Sequence, residues 1–173
     1  MKWTRMPIAP VLLLVLAACT TSPLGHPQLS LVSSSQMAQM GAEAYKQARQ
    51  QTPVSRNAAL NQYVQCVANS ISSVAAPNQN WQVTVFQKDE ANAWALPGGY
   101  IGVYTGLFKY ARTPAQLAAV LGHEVSHVLA HHANARVSAQ IATQGVAQLV
   151  AAVAGAEGAR NQQLLIAALG AGA

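Results

Sequence analysis

The sequence predicts an α+β domain that is mainly helical, and the hydrophobic pattern carries this prediction. Between residues 57 and 76, apolar residues recur at alternating spacings of four and three, as on one face of an amphipathic helix. Residues 81–87 and 91–104 instead contain β-rich segments bounded by turn signals. A helical pattern returns after residue 113, so the order is helix, strands, helix within one modest chain of 173 residues.

The first 18 residues have the pattern of a bacterial lipoprotein signal peptide. Two basic residues precede an apolar stretch that is too short to span a bilayer. Ala17 and Ala18 then stand directly before Cys19, as in a lipobox. This likeness implies that Cys19 becomes the lipidated first residue of the mature chain, which acyl chains would hold on a membrane without a spanning helix. The alternative is an ordinary signal peptide followed by an incidental cysteine.

The residues around this cysteine also bear on location and redox state. Thr20 stands where an Asp would favour retention in the inner membrane. We therefore expect an anchor in the outer membrane of the bacterial cell envelope, with the protein facing the periplasm. If Cys19 is acylated, Cys66 has no disulfide partner, and we expect its thiol to be buried.

A tether and one domain follow the signal segment. Residues 19–35 are rich in Ser, Thr, Pro and Gly, which favours a flexible tether, and residues 36–173 then form the domain. Residues 36–51 are polar and compatible with a helix, which Pro53 interrupts. The Ala- and Gly-rich residues near the end of the chain are broken up by glutamines, so we predict no transmembrane helix in the mature chain.

The charge of the chain gives no support for a nucleic-acid partner. The chain has 10 Lys and Arg against 5 Asp and Glu, but two of the basic residues lie in the signal segment and the others form no run. Hydrophobic residues make up 51% and charged residues only 9%, which excludes a disordered polyelectrolyte. We therefore expect no binding to nucleic acid.

The helix after residue 113 carries the motif HEVSH at residues 123–127. Residues 113–116 (TPAQ) mark its start twice, with a possible capping box and with Pro at the first helical position. His123 and His127 are four residues apart, so both imidazoles share one helix face and can bind one Zn²⁺ ion. The alternative, a helix with surface histidines, is disfavoured because the preceding turn is apolar.

This arrangement predicts peptide hydrolysis. Zinc lowers the pKa of a bound water towards about 7 and polarises the scissile carbonyl. Glu124 lies next to His123, where it can accept the proton of the water and pass it to the leaving amine. The motif therefore indicates a zinc metalloendopeptidase with one zinc ion per chain and polypeptide substrates.

Three segments resemble the HtpX-like, prenyl-protease-type family of zinc metallopeptidases, in particular its periplasmic lipoprotein members. They are NAWALPGGYI at residues 92–101, YTGL at 104–107 and LGHEVSHVLAHH at 121–132. The resemblance implies a gluzincin-type fold with a small β-sheet beside the HExxH helix. It also implies that the strand before the Pro-Gly-Gly turn borders the cleft, where Asn92 and Ala93 would pair with the backbone of the substrate.

The third zinc ligand is where the sequence departs from this family. The family supplies it from a Glu in a Glu-x-x-x-Asp pattern on a later helix, but Glu157 is the last acidic residue here and has glycines close by on both sides. We expect that the chain ends before the ligand helix. The alternatives are an inactive homologue, or Glu157 as a substitute ligand. His131, eight residues after His123, is a further and less favoured candidate.

The sequence thus favours a membrane-anchored zinc endopeptidase that degrades or processes misfolded or envelope proteins. A catalytically inactive, chaperone-like or binding lipoprotein of the same fold is the first alternative. The missing third ligand favours that alternative, whereas the intact set of His123, Glu124 and His127 argues against it. A structural envelope lipoprotein is the second alternative, and it leaves the motifs unexplained.

Overall fold

The computed structural model describes residues 19–21, 25 and 27–154. These residues form five strands, four α-helices and one short 3₁₀ helix. In chain order they are β1 (Cys19–Thr21), β2 (Pro27–Leu29), α1 (Ser34–Gln51), α2 (Ala58–Ala75), β3 (Gln82–Phe86), β4 (Ala93–Leu96), β5 (Tyr100–Tyr104), the 3₁₀ helix (Thr105–Lys109), α3 (Pro114–Leu129) and α4 (His132–Ala154). The predicted fold class, α+β and mainly helical, is confirmed. The signal segment and Glu157 lie outside the described residues.

A mixed three-stranded sheet lies at the centre of the domain. Its strand order is β3-β5-β4, with β3 parallel and β4 antiparallel to the central strand β5. The turn between β4 and β5 contains Gly98 and Gly99, whose φ angles of +92° and +88° are conformations that favour glycine. In the described part of the chain, β4 lies at one edge of the sheet, and the predicted Pro-Gly-Gly turn connects it to β5.

The two faces of the sheet are covered by different helices. Side chains alternate along β4, so that Ala93 and Ala95 belong to the main core, which also contains buried residues of α2 and α3. Trp94 and Leu96 point to the opposite face, where they pack in a cluster around Tyr45 of α1. The helix that carries the HExxH motif thus packs on the same side of the sheet as Ala93 and Ala95.

Two glycines allow close packing around β4 and its turn. A Cβ atom on Gly41 of α1 would lie 1.9 Å from the carbonyl oxygen of Pro97, so α1 can approach the turn only because this residue is glycine. The indole of Trp94 covers Gly102 of β5 in the same way, since a Cβ there would lie 2.2 Å from the ring. The edge strand and its turn are therefore held from the α1 side.

Helix ends follow the signals in the sequence. The Thr113 side chain accepts a hydrogen bond from the backbone N–H of Gln116, and the Gln116 side chain accepts one from the backbone N–H of Thr113. This is the predicted capping box, and Pro114 is at the start of α3 as expected. The start of α1 has an equivalent box between Ser33 and Gln36.

The segment before α1 contains two short strands and is bonded to α4. Strands β1 and β2 pair within residues 19–35, and the following residues are attached to α4. The backbone N–H of Leu31 donates to Oγ of Ser138 at 2.8 Å, and Nδ2 of Asn134 donates to the carbonyl of Val32 at 2.7 Å. Both polar side chains of α4 are buried. These side chains form hydrogen bonds with the N–H of Leu31 and the carbonyl of Val32, which in a flexible tether would bond to water.

The expectation of a buried Cys66 is wrong, because the side chain is exposed. The buried face of α2 is formed by Val64, Val67 and Ala68, and Cys66 lies away from this face on the same helix. No helix among residues 19–21 and 27–154 is long and apolar enough to cross a membrane.

A single residue in a left-handed conformation separates α3 from α4. His131 has a φ angle of +57°, which costs a residue with a side chain about 1–2 kcal/mol relative to the right-handed region. Its N–H donates to the carbonyl of Val128 at 3.0 Å, and its carbonyl accepts from the N–H of Ala135 at 3.1 Å. The break therefore ends one helix, starts the next and makes His132 the first residue of α4.

This conformation yields a stability prediction. His131→Gly and His131→Ala both remove the imidazole, but only glycine adopts a positive φ without a Cβ clash. We expect the His131→Gly protein to be more stable than the His131→Ala protein by roughly 1 kcal/mol in the free energy of unfolding, measured by urea denaturation. Equal stabilities of the two variants would contradict a left-handed residue 131.

Candidate active site

The helical spacing of the motif brings two imidazoles together. Nε2 of His123 and Nε2 of His127 lie 3.0 Å apart, and the ring centroids are separated by 4.4 Å. The His123 side chain is exposed and that of His127 is half-buried, whereas the apolar residues Leu121 and Val125 on the same helix are buried in the core. The predicted pair thus forms on the accessible side of α3, with matching nitrogen atoms facing each other.

The separation of these nitrogens fits two ligands of one zinc ion. Two nitrogens bound to a tetrahedral zinc at 2.0–2.1 Å lie about 3.3 Å from each other, close to the observed 3.0 Å. Within residues 19–21 and 27–154, no group of three His, Cys, Asp or Glu side chains is placed to hold a metal.

The position of Glu124 suits it to proton transfer. Its side chain is half-buried, and this burial raises the pKa of the carboxyl group above its ordinary value. Electrostatic interactions with His123 and Arg136 oppose the increase in pKa. A carboxylate with a raised pKa holds a proton more strongly, which is what a general base needs when it takes a proton from water near neutral pH.

The environment of His127 favours its neutral form. Burial is the largest cause of its lowered pKa, and electrostatic interactions with His123, His132 and Arg136 act in the same direction. A neutral imidazole keeps a lone pair on one nitrogen, which is the form that binds a metal.

His132 adds a third ring that the sequence analysis did not assign. Its Nδ1 lies 2.5 Å from Nδ1 of His127, and the two ring centroids are 4.8 Å apart. His131, which the sequence suggested as a less favoured ligand, instead lines a pocket with Pro97, Gly98 and Val128. The helix break determines that His132, and not His131, lies beside His127. Helical periodicity continued past residue 129 does not predict this arrangement.

Strand β4 determines which backbone groups are available at its outer edge. The carbonyl of Asn92 accepts a hydrogen bond from the N–H of Tyr104, and the N–H of Asn92 donates to the carbonyl of Glu90, both at 3.0 Å. Because pairs alternate in an antiparallel ladder, Trp94 also bonds to β5, whereas the N–H and C=O groups of Ala93 and Ala95 point outwards. The backbone N–H and C=O of Asn92 are therefore hydrogen-bonded within the chain. The backbone N–H and C=O of Ala93 are not bonded to β5.

Comparison with known proteins gives a family match and several similar proteases. The family model of peptidase family M48 matches residues 54–173. The chain is also 32% identical over 105 residues to beta-barrel assembly-enhancing proteases of Escherichia coli K12, Escherichia coli O157:H7 and Shigella flexneri. This alignment covers 60% of the chain but only 22% of each relative, so the chain matches about a fifth of their length.

These matches confirm the resemblance drawn from the three sequence segments. The family model covers well over half of the chain, including β4 with its Pro-Gly-Gly turn and the whole of α3. The chain therefore belongs to peptidase family M48, a family of metallopeptidases.

Proposed function

We propose that the chain is the catalytic region of a membrane-anchored zinc metalloendopeptidase of the cell envelope, which hydrolyses peptide bonds of misfolded or envelope proteins. The observation that carries the proposal is the 3.0 Å convergence of the His123 and His127 Nε2 atoms, with Glu124 beside them on a helix packed against an edge strand. The family membership supports peptide hydrolysis, and the name of the matched proteases supports a role in the envelope.

Each residue of the motif has a separate task in this reaction. His123 and His127 would hold the zinc ion through their Nε2 atoms. A bound zinc ion makes a water molecule more acidic and polarises the scissile carbonyl. Glu124 takes the proton from the attacking water and delivers it to the departing amine, and its raised pKa suits both transfers. The third ligand would be a carboxylate outside the described residues.

The edge of β4 is the proposed binding site for the substrate. An extended peptide would pair with the outward N–H and C=O groups of Ala93 and Ala95 in β4, which begins directly after Asn92. Main-chain pairing of this kind does not depend on the substrate sequence, which suits an enzyme that acts on misfolded proteins. Since α3 packs against β4, such a peptide would bind on the strand that contacts the helix with the two histidines.

An inactive, chaperone-like or binding function is the second candidate. It is favoured by the lack of a three-ligand metal group among the described residues, since an edge strand can bind peptides without a metal. The variants below distinguish the two candidates, because a chaperone-like protein would be insensitive to loss of the general base.

The first prediction from this proposal concerns Glu124. Glu124→Gln keeps the size of the side chain but removes its ability to accept a proton, so casein cleavage should fall by about 10²–10⁴-fold while one zinc ion per chain is retained. His127→Ala is the matched control, and it should lose both zinc and cleavage. Zinc stoichiometry by atomic absorption and casein turnover check these outcomes, and unchanged cleavage by the Glu124→Gln protein would contradict the proposal.

A second prediction concerns the strand edge. Ala93→Pro removes an N–H that points away from β5, so the ladder to β5 should survive while the donor to the substrate is lost. The Ala93→Gly protein keeps this N–H and should cleave casein far faster than the Ala93→Pro protein, with equal zinc content in both. Equal turnover by the two variants would show that the backbone of residue 93 does not bind substrate.

The third prediction concerns the membrane anchor. We propose that Cys19 is lipidated and anchors the protein to the outer membrane, so the mature protein should fractionate with outer membranes and carry added acyl mass on its first residue. Cys19→Ser should abolish both properties. A mature wild-type protein that is wholly soluble, with no mass added at Cys19, would rule out this anchor.

A further inference from the structure

We propose that His132 is a positioning residue, which accepts a hydrogen bond from Nδ1–H of His127 and thereby keeps Nε2 of His127 free to bind metal. The part of this inference that concerns metal binding rests on the proposed function. It assigns a role to a side chain on a different helix from the HExxH motif.

The geometry leaves few ways to arrange the protons of the two rings. The His127 Nε2 atom faces Nε2 of His123 at 3.0 Å, and its Nδ1 atom faces Nδ1 of His132 at 2.5 Å. A neutral imidazole has one nitrogen that donates and one that accepts. If Nε2 of His127 keeps its lone pair for a metal, then Nδ1 of the same ring must carry the proton and donate it to His132.

His132 must then present an unprotonated Nδ1, which places its own proton on Nε2. Metal-binding histidines usually donate their second ring N–H to an acceptor, which fixes the tautomer and the ring orientation. In the described part of the chain, the ring of His132 is placed at the Nδ1 side of His127 and supplies such an acceptor.

The helix break provides an independent observation in favour of this role. Residue 131 adopts a left-handed φ of +57° although it is not glycine, and this break starts α4 at His132. A continuous helix would turn residue 132 by about 500° from residue 127, which places the two side chains on different faces. The unfavourable backbone conformation is therefore coupled to the position of the third ring.

Substitution of His132 by asparagine or glutamine tests whether His132 acts as a hydrogen-bond acceptor or only packs against His127. Oδ1 of Asn is two bonds from Cβ, as Nδ1 of His is, whereas Oε1 of Gln corresponds to Nε2. His132→Asn therefore keeps an acceptor beside Nδ1 of His127, and His132→Gln moves it away. His132→Phe retains a ring with no acceptor, and His131→Asn is a control on the adjacent residue, since Asn tolerates a positive φ.

The first measurement is the tautomer of His127 in the metal-free full-length protein, from ¹H–¹⁵N correlations of the imidazole rings at pH 8. We expect the Nδ1–H tautomer in the wild-type, His132→Asn and His131→Asn proteins. A mixture of tautomers should be found in the His132→Gln and His132→Phe proteins. The Nε2–H tautomer in the wild-type protein, or the same tautomer in all five proteins, would overturn the proposal.

The second measurement is zinc affinity by competition with a chelator. We expect binding to weaken by about 10–100-fold in the His132→Gln and His132→Phe proteins, and to stay near the wild-type value in the His132→Asn protein. Equal affinities in all variants would overturn the role at the metal. If the wild-type protein binds no zinc, the proposed function fails, and the tautomer measurement still decides whether His132 positions His127.

Discussion

The site depends on the burial of one face of α3 against the sheet. Leu117, Leu121 and Val125 are spaced by four residues and are almost completely buried. His123 and His127 have the same spacing but lie on the side of α3 that faces away from this apolar stripe, so the packing that buries the stripe also fixes the direction of both imidazoles. Removing about three such side chains from water contributes roughly 5–9 kcal/mol before entropic costs, far more than a weak pair of surface histidines could supply. The histidines are therefore placed by the core and need not stabilise their own arrangement.

The sizes of the side chains on the two faces of β4 suit the helices that cover them. Small side chains at Ala93 and Ala95 allow α3 to lie close to the strand, while Trp94 and Leu96 fill the space under α1. Gly102 accommodates the indole, so the strand is locked by a large residue on one face and by small residues on the other. An edge strand held in this way keeps a fixed register while its outer backbone groups stay directed away from the sheet.

The sequence predicted the elements whose signals are local. The capping box and proline at the start of α3 and the Pro-Gly-Gly turn were sufficient to place the motif helix and the strands before it. Contacts between distant segments were not predictable in this way. Ser138 of α4 accepts from the backbone of Leu31, 107 residues earlier, and this contact gives structure to a segment whose composition favoured a tether. The exposure of Cys66 follows from helix periodicity, which places it away from the buried face of α2, whereas the lack of a disulfide partner does not determine its burial.

The histidine pair at residues 131 and 132 shows where periodic reasoning stops. A helical wheel extended through residue 131 brings that ring back near the face of His123, whereas the break directs it to a pocket beside Pro97. No residue with a strong preference for positive φ announces the break, since glycine or asparagine is usual at such a position. A backbone cost of about 1–2 kcal/mol at a non-glycine residue persists only where the surrounding structure compensates for it. Here the compensation includes the N-terminal hydrogen bonds of α4 and the ring of His132 at His127, so the local conflict in the sequence coincides with the meeting point of two helices at the site.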